Sequence, residues 1–225
     1  MKSVRKTGIK HIVDAAMTVL LLCLMAYPVT GETLHEWFGI ATTALLIAHH
    51  MLNRRWYAAL FKGKYSAFRA VTLAVNTLLL VSIAMTAVCG MAMSAHAVPF
   101  LYGILPVSFA RQTHLSLSHW SFVLTGLHLG LHLPALARAL RQKRGIRAAA
   151  AAVWAVAACC GVWVFFKNSI PGYLLFQTPF AFFDSSKSAF LVFGESLAML
   201  LAWAGCGFLV AAGLQKRREK TAAAR

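Results

Sequence analysis

Six stretches of about 20 mostly apolar residues, at 11–30, 33–52, 67–93, 114–137, 148–167 and 188–213, occupy most of this 225-residue chain. A run of that length is what an α-helix needs to cross the hydrocarbon of a bilayer. In lipid every backbone N–H and C=O has to be satisfied within its own element, so closely spaced runs of this kind resolve into helices. The expected fold class is all-α, a polytopic membrane helix bundle of about six transmembrane helices forming one membrane domain over 1–225. No repeat, low-complexity tract or soluble domain interrupts the series. The composition agrees: 60% of residues are hydrophobic and 12% charged, against roughly 25% charged in an ordinary soluble domain.

A net charge of +16 would ordinarily suggest nucleic acid, but the placement of the cations argues for membrane lipid and against a nucleic-acid partner. Of the 22 Lys and Arg, 19 fall in four clusters beside apolar runs: Lys2, Arg5, Lys6 and Lys10; Arg54, Arg55, Lys62, Lys64 and Arg69; Arg138, Arg141, Lys143, Arg144 and Arg147; and Lys216, Arg217, Arg218, Lys220 and Arg225. The alternate loops carry only Arg111, Lys167 and Lys187. By the positive-inside rule this puts both termini and the 53–66 and 138–147 loops in the cytoplasm. The N-terminal apolar stretch exceeds signal-peptide length and ends in Tyr27-Pro28 without a small-residue cleavage site, so it is read as a retained first helix. The longer outer loops, 94–112 and 168–187, are rich in Phe, Tyr and Pro. They suit an aromatic belt, an apolar docking surface or a quinone pocket.

Cys23, Cys89, Cys159, Cys160 and Cys206 lie within apolar runs with neither CxxC nor CxxCH spacing, which indicates small core residues and no covalent c-type haem. Histidine is the informative residue. Of nine, His35, His49 and His50 lie on the second run, and His114, His119, His128 and His132 on the fourth. Ionisable groups at membrane depth are expensive, and their clustering on two helices asks for a function.

His35 and His49 are 14 residues apart, as are His114 and His128. Fourteen residues of helix return to within about 40° of one face and advance about 21 Å. Both helices run from outside to inside, so the spacing predicts two facing pairs, an outer one of His35 with His114 and an inner one of His49 with His128. Two imidazoles can ligate a haem iron without bringing extra charge into lipid, and two haem b groups, or one at a single level, are the cofactors this pattern implies. His50 and His132 are alternates for the inner level, His132 sharing the face of His114 and His50 turned about 60° from His35. His119 points about 140° from His114 and is the weaker alternate. Ser118, Ser121 and Thr125 beside the fourth-run histidines, and Gly39 and Thr42 beside those of the second, would let a flat macrocycle approach. Gly126 and Gly130 suit helix packing.

Other residues fit the same chemistry. Arg111 precedes His114, and Arg54, Arg55 and Arg138 follow the inner histidines, where guanidinium groups could pair with haem propionates; membrane topology explains the inner three equally well. Glu195 is an intramembrane carboxylate and a proton-handling candidate, with a carboxyl bonded to a neighbouring helix as the alternative. Asp14, four residues from Lys10, reads as an interfacial ion pair. His11 and His96 lie near the membrane surfaces, and Trp37, Trp56 and Trp120 near helix ends, where interfacial duty is ordinary.

The stretch Leu34-His35-Glu36-Trp37-Phe38-Gly39, followed by His49-His50-Met51-Leu52-Asn53-Arg54-Arg55-Trp56-Tyr57 and Lys62-Gly63-Lys64-Tyr65, resembles the signature of a bacterial membrane b-type cytochrome family long catalogued as a domain of unknown function. Cys89-Gly90-Met91-Ala92-Met93-Ser94, His128-Leu129-Gly130-Leu131-His132 and Phe180-Ala181-Phe182-Phe183-Asp184 are similar to its third-helix ending, fourth-helix motif and last outer loop. The resemblance covers about residues 10–212, with Arg54 and His119 as departures from its usual residues. It implies haem b, membrane quinone as substrate, a link to flavin-based electron transfer, kinship with the cytochrome b subunits of formate dehydrogenases, and residence in the bacterial cytoplasmic (inner) membrane. The expected function is a di-haem cytochrome relaying electrons between the quinone pool and a separate redox protein. With no nucleotide or flavin motif visible, the chain is expected to be an electron-transfer subunit of an oxidoreductase more than a self-sufficient enzyme. A single-haem subunit and a divalent-metal transporter using membrane histidines are the alternatives.

Overall fold

The apolar runs close their hydrogen bonds within themselves, and the computed structural model contains helices and no strand among its described residues, which are 2–139, 144–184 and 186–223. Side chains at 2–7, 135–139, 144–147 and 218–223 lie outside that description. The helices are α1 (Lys2–Met25), α2 (Tyr27–Leu52), α3 (Arg55–Ala59), α4 (Ala67–Met91), α5 (Val107–Ala139), α6 (Arg144–Lys167), α7 (Ile170–Leu174) and α8 (Ala189–Ala223), with a 3-10 turn at Pro99–Leu101.

Each of the six expected runs falls mainly on one long helix, but the first, expected to extend to 30, leaves α1 at Met25. Four of these are long and apolar enough to cross a membrane over Gly8–Met25, Ala67–Met91, Ala148–Lys167 and Ala189–Arg217. The two that fall short, α2 and α5, are 26 and 33 residues long, so their deficit is in hydropathy and not in length. They are the helices that carry seven of the nine histidines, and each imidazole lowers the local hydropathy. The four apolar helices turn much of their surface outward: only 6% of the Ala67–Met91 segment is buried within the chain. A bilayer supplies the apolar surroundings that such a surface needs.

The helices contribute to two compact units. The first comprises Met1–Lys64, Ala84–His114 and Phe180–Phe193. In it α1 packs along α2, joined through the fully buried Ala26. Gly31 breaks α2 with φ of 69°, a left-handed conformation that glycine adopts without steric cost. The regular part of α2 therefore starts beside Glu32, close to the boundary expected from the sequence. The end of α4 and the start of α5 meet in a small core of Cys89, Ala92 and Ala110, backed by Met93 and Leu105.

The second unit comprises Tyr65–Ile83, Leu115–Pro179 and Gly194–Arg225. Its core holds Phe122, Val123, Leu124 and Leu131 of α5 with Met199, Leu200 and Ala204 of α8. Glycines set the approach of these two helices. A Cβ on Gly130 would run into the Ala204 carbonyl, and one on Gly207 into that of Leu127. Gly126 and Gly130 thus serve in helix packing, as the small-residue pattern of membrane helices suggests.

Candidate functional site

His35 lies on the first regular turns of α2 and His114 near the start of α5, both in the first unit. Their ring centroids are 6.0 Å apart with the planes at 70°. Two metal–nitrogen bonds of about 2 Å each, extended by ring radii of roughly 1 Å, add up to about 6 Å between imidazoles that share one metal ion.

His114 Nδ1 lies 2.9 Å from the Thr86 carbonyl oxygen. A carbonyl can only accept, so Nδ1 carries the proton and Nε2 keeps the lone pair, which is the form that binds a metal. The ring reaches α4 because residue 90 is glycine: a Cβ there would stand 3.0 Å from His114 Cε1 and 3.2 Å from Nδ1. His35 approaches the Leu24 carbonyl, sits edge-on to Tyr27 at 5.1 Å, and has a buried Nδ1 with no hydrogen-bond partner.

The same proton logic holds at two other expected ligands. His49 Nδ1 is 2.7 Å from Asp14 Oδ1 in the first unit, and His128 Nδ1 is 2.8 Å from Asn76 Oδ1 in the second. Three of the four therefore donate Nδ1–H to an acceptor on another helix, the arrangement that fixes the tautomer and orientation of a ligating imidazole. Asn53 Nδ2 donates to the His49 carbonyl at 3.0 Å and approaches His49 Nε2 at 3.5 Å, which again marks Nε2 as the lone-pair nitrogen. His49 and His128 belong to different units.

The alternates behave differently. His50 Nδ1 meets the hydroxyl of Tyr57, which can donate or accept. His119 donates to the Leu115 carbonyl of its own helix at 2.7 Å and stacks flat on Tyr173 at 4.5 Å. His132 is exposed, with its ring 4.8 Å from that of His128.

Around the histidines, no atom lies within 4 Å of the place a Cβ on Gly39 would take, and Thr42 Oγ1 on the same stretch of α2 is buried without a partner. On α5, Ser121 Oγ is likewise buried and unpartnered, whereas Ser118 and Thr125 return their hydroxyls to their own helix. Arg54, Arg55 and Arg111 are exposed, Arg111 over the Phe180 ring at 5.8 Å. The Arg138 side chain lies outside the described residues.

Asp14 is not paired with Lys10 as its spacing suggested. It takes the His49 ring, and Lys10 Nζ donates to Asn53 Oδ1 at 2.8 Å instead. The two helices pack side by side, so a partner on α2 wins over one a turn away on α1. Glu195 is buried on α8, where Asn168 Nδ2 donates to it at 3.1 Å and Lys167 Nζ lies 3.5 Å away.

Sequence reasoning missed Glu36. Its carboxylate accepts Ser94 Oγ at 2.7 Å and the backbone N–H groups of Ala95, His96 and Ala97 at 2.9, 2.8 and 2.8 Å. This ties the turn next to His35 to the loop that leaves α4. Glu32, Glu36 and His96 bring ligand atoms within 4.8 Å of one another, but the four donors already occupy the Glu36 oxygens. The available signal was a carboxylate next to a histidine in a helix otherwise poor in charge.

Comparison with protein-family models, with curated proteins and with solved structures finds no match to this chain.

Proposed function

We propose that this protein is a membrane b-type cytochrome of the family its motifs resemble, passing electrons between membrane quinol and a separate redox protein. One observation carries the reading: His35 and His114 stand 6.0 Å apart, the separation of two imidazoles on one iron, with His114 held at Nδ1 by a backbone carbonyl. The donor set fits the group, since two neutral imidazoles suit haem iron at membrane depth. The buried, unpartnered Nδ1 of His35 and hydroxyl of Thr42, with the open space at Gly39, fit a site made for an additional group.

His35 and His114, both in the first unit, would hold one haem, and a second haem is proposed on the equal 14-residue histidine spacings of the sequence. Bound haem supplies a one-electron Fe(III)/Fe(II) couple. The chain's own part is to hold three of the four rings at Nδ1 so that Nε2 carries the lone pair, exclude water with α-helices, and offer Arg111, Arg54, Arg55 and Arg138 to the propionates. Glu195, bonded to Asn168 and Lys167, is the carboxylate proposed to handle a quinol proton. The charge distribution supports a bacterial cytoplasmic membrane location with both termini in the cytoplasm. A one-haem protein is the second reading, favoured by the fact that a single pair, His35 with His114, has its ring separation in place.

The test is a dithionite-reduced minus oxidised spectrum of the purified protein with pyridine haemochrome quantification. Two haem b per chain are expected. One per chain selects the second reading, and none in a folded preparation defeats both.

A further inference from the structure

His35 and His114 come from different helices, so the 6.0 Å between their rings depends on how those helices are held. The end of α4 touches both. Toward α5 it holds the His114 ring through the Thr86 carbonyl at 2.9 Å and the space left by Gly90, and its buried Cys89 and Ala92 pack on Ala110. Toward α2, residues 94–97 give four hydrogen bonds to Glu36. That segment is itself braced: Val98 N–H donates to Ser94 Oγ at 3.0 Å, and Gly103 N–H to the Ala92 carbonyl at 2.9 Å. All of these residues belong to the first unit. His35 has a weaker hold of its own, with Nδ1 unpartnered and α2 interrupted about a turn earlier at Gly31.

Resting on the cytochrome reading, we infer that Glu36 is a positioning residue: the reach of its side chain, seated on residues 94–97, sets the place of His35 against His114, and with it the ring separation and the 70° crossing of the two planes. Reach matters here more than charge. Oε2 takes three of the four donors, Ser94 Oγ and the His96 and Ala97 N–H groups, while Oε1 takes the N–H of exposed Ala95. A glutamine can keep its oxygen at the three-donor end and leave Ala95 to water. An aspartate keeps the charge but is one carbon–carbon bond shorter, about 1.5 Å. To keep the same donors the turn carrying His35 has to move by more than the roughly 0.5 Å that a ligand constellation tolerates.

The experiment compares electron paramagnetic resonance spectra of the oxidised holoprotein with those of its Glu36→Asp, Glu36→Gln and Ser94→Ala variants, at haem contents matched by pyridine haemochrome. The low-spin component lost in His35→Ala marks the site. Its g-values respond to the angle between the two imidazole planes, which a loss of stability alone does not change. Glu36→Asp should shift the largest g-value, and Glu36→Gln should leave it at the parental position. Ser94→Ala removes one donor and keeps the acid, so it should shift the signal less and in the same direction. A parental spectrum in Glu36→Asp overturns the inference and leaves the cytochrome standing. An equal shift in Glu36→Gln does the same, because the effect would then be one of charge. If Glu36→Asp loses its haem, Ser94→Ala decides: a shifted signal upholds the inference and a parental one overturns it. A parent protein without haem overturns both readings.

Discussion

The two ends of α2 each set a carboxylate beside a histidine, and they use it in opposite ways. Near the start of the helix, Glu36 follows His35 in sequence yet gives its oxygens to Ser94 and three backbone N–H groups, leaving the ring with a bare Nδ1. Near the end, Asp14 comes from another helix and bonds the His49 ring directly. One acid holds the backbone around a histidine, and the other acts on the histidine itself. Proximity in sequence is therefore a poor guide to what a charge does, because side chains one apart on a helix point in different directions, whereas packed helices bring remote residues face to face.

The contrast can be broken most visibly at the rings. His114→Ala and His35→Ala should each remove one haem's worth of low-spin absorbance, read by pyridine haemochrome, and an unchanged haem content would reject that ligand. Next in size is Glu36→Ala, which strips four donors of their acceptor. Ala95 and His96 are exposed and can turn to water, but Ser94 is buried; a buried donor left unmet costs about 1–3 kcal/mol, so the detergent-solubilised protein should unfold at a lower temperature. Asp14→Ala should differ: Asp14 is 44% exposed and accepts one hydrogen bond from His49, so the melting temperature should fall less. Equal thermal losses in the two variants would dissolve the distinction. The smallest effect belongs to Gly90→Ala, whose methyl would crowd His114 and loosen its bond to Thr86. Haem should be retained, with a changed low-spin signature by electron paramagnetic resonance; a spectrum identical to the parent would show that the ring does not depend on the glycine.

Much of this was legible in the sequence. The positions of the long helices follow from apolar length, because in lipid the backbone has no partners other than its own. The boundary between the first two helices was expected at 30–33, whereas α1 ends at Met25 and α2 is broken at Gly31. The meeting of His35 with His114 matches the pairing expected from helix phase, and the role of Gly126 and Gly130 was readable because small residues permit close approach. What stayed hidden are the acceptors. Asp14, Asn76 and the Thr86 carbonyl reach their rings across helix pairs, over sequence separations of 35, 52 and 28 residues. Such pairings depend on helix rotation and depth, which no local pattern encodes. For Thr86 the acceptor is backbone, and the clue is the glycine one turn later.

The cross-helix clamps on the imidazoles have a kinetic consequence. A ring fixed at its far nitrogen by a neighbouring helix has little freedom to swing or tilt about its own side-chain torsions. For a ring that holds iron, a change of oxidation state then proceeds with the surrounding nuclei almost in place. Dipoles oriented beforehand do not have to turn at the moment the charge moves. On the cytochrome reading proposed above, three hydrogen bonds of 2.7 to 2.9 Å would lower the reorganisation that accompanies an electron hop in either direction.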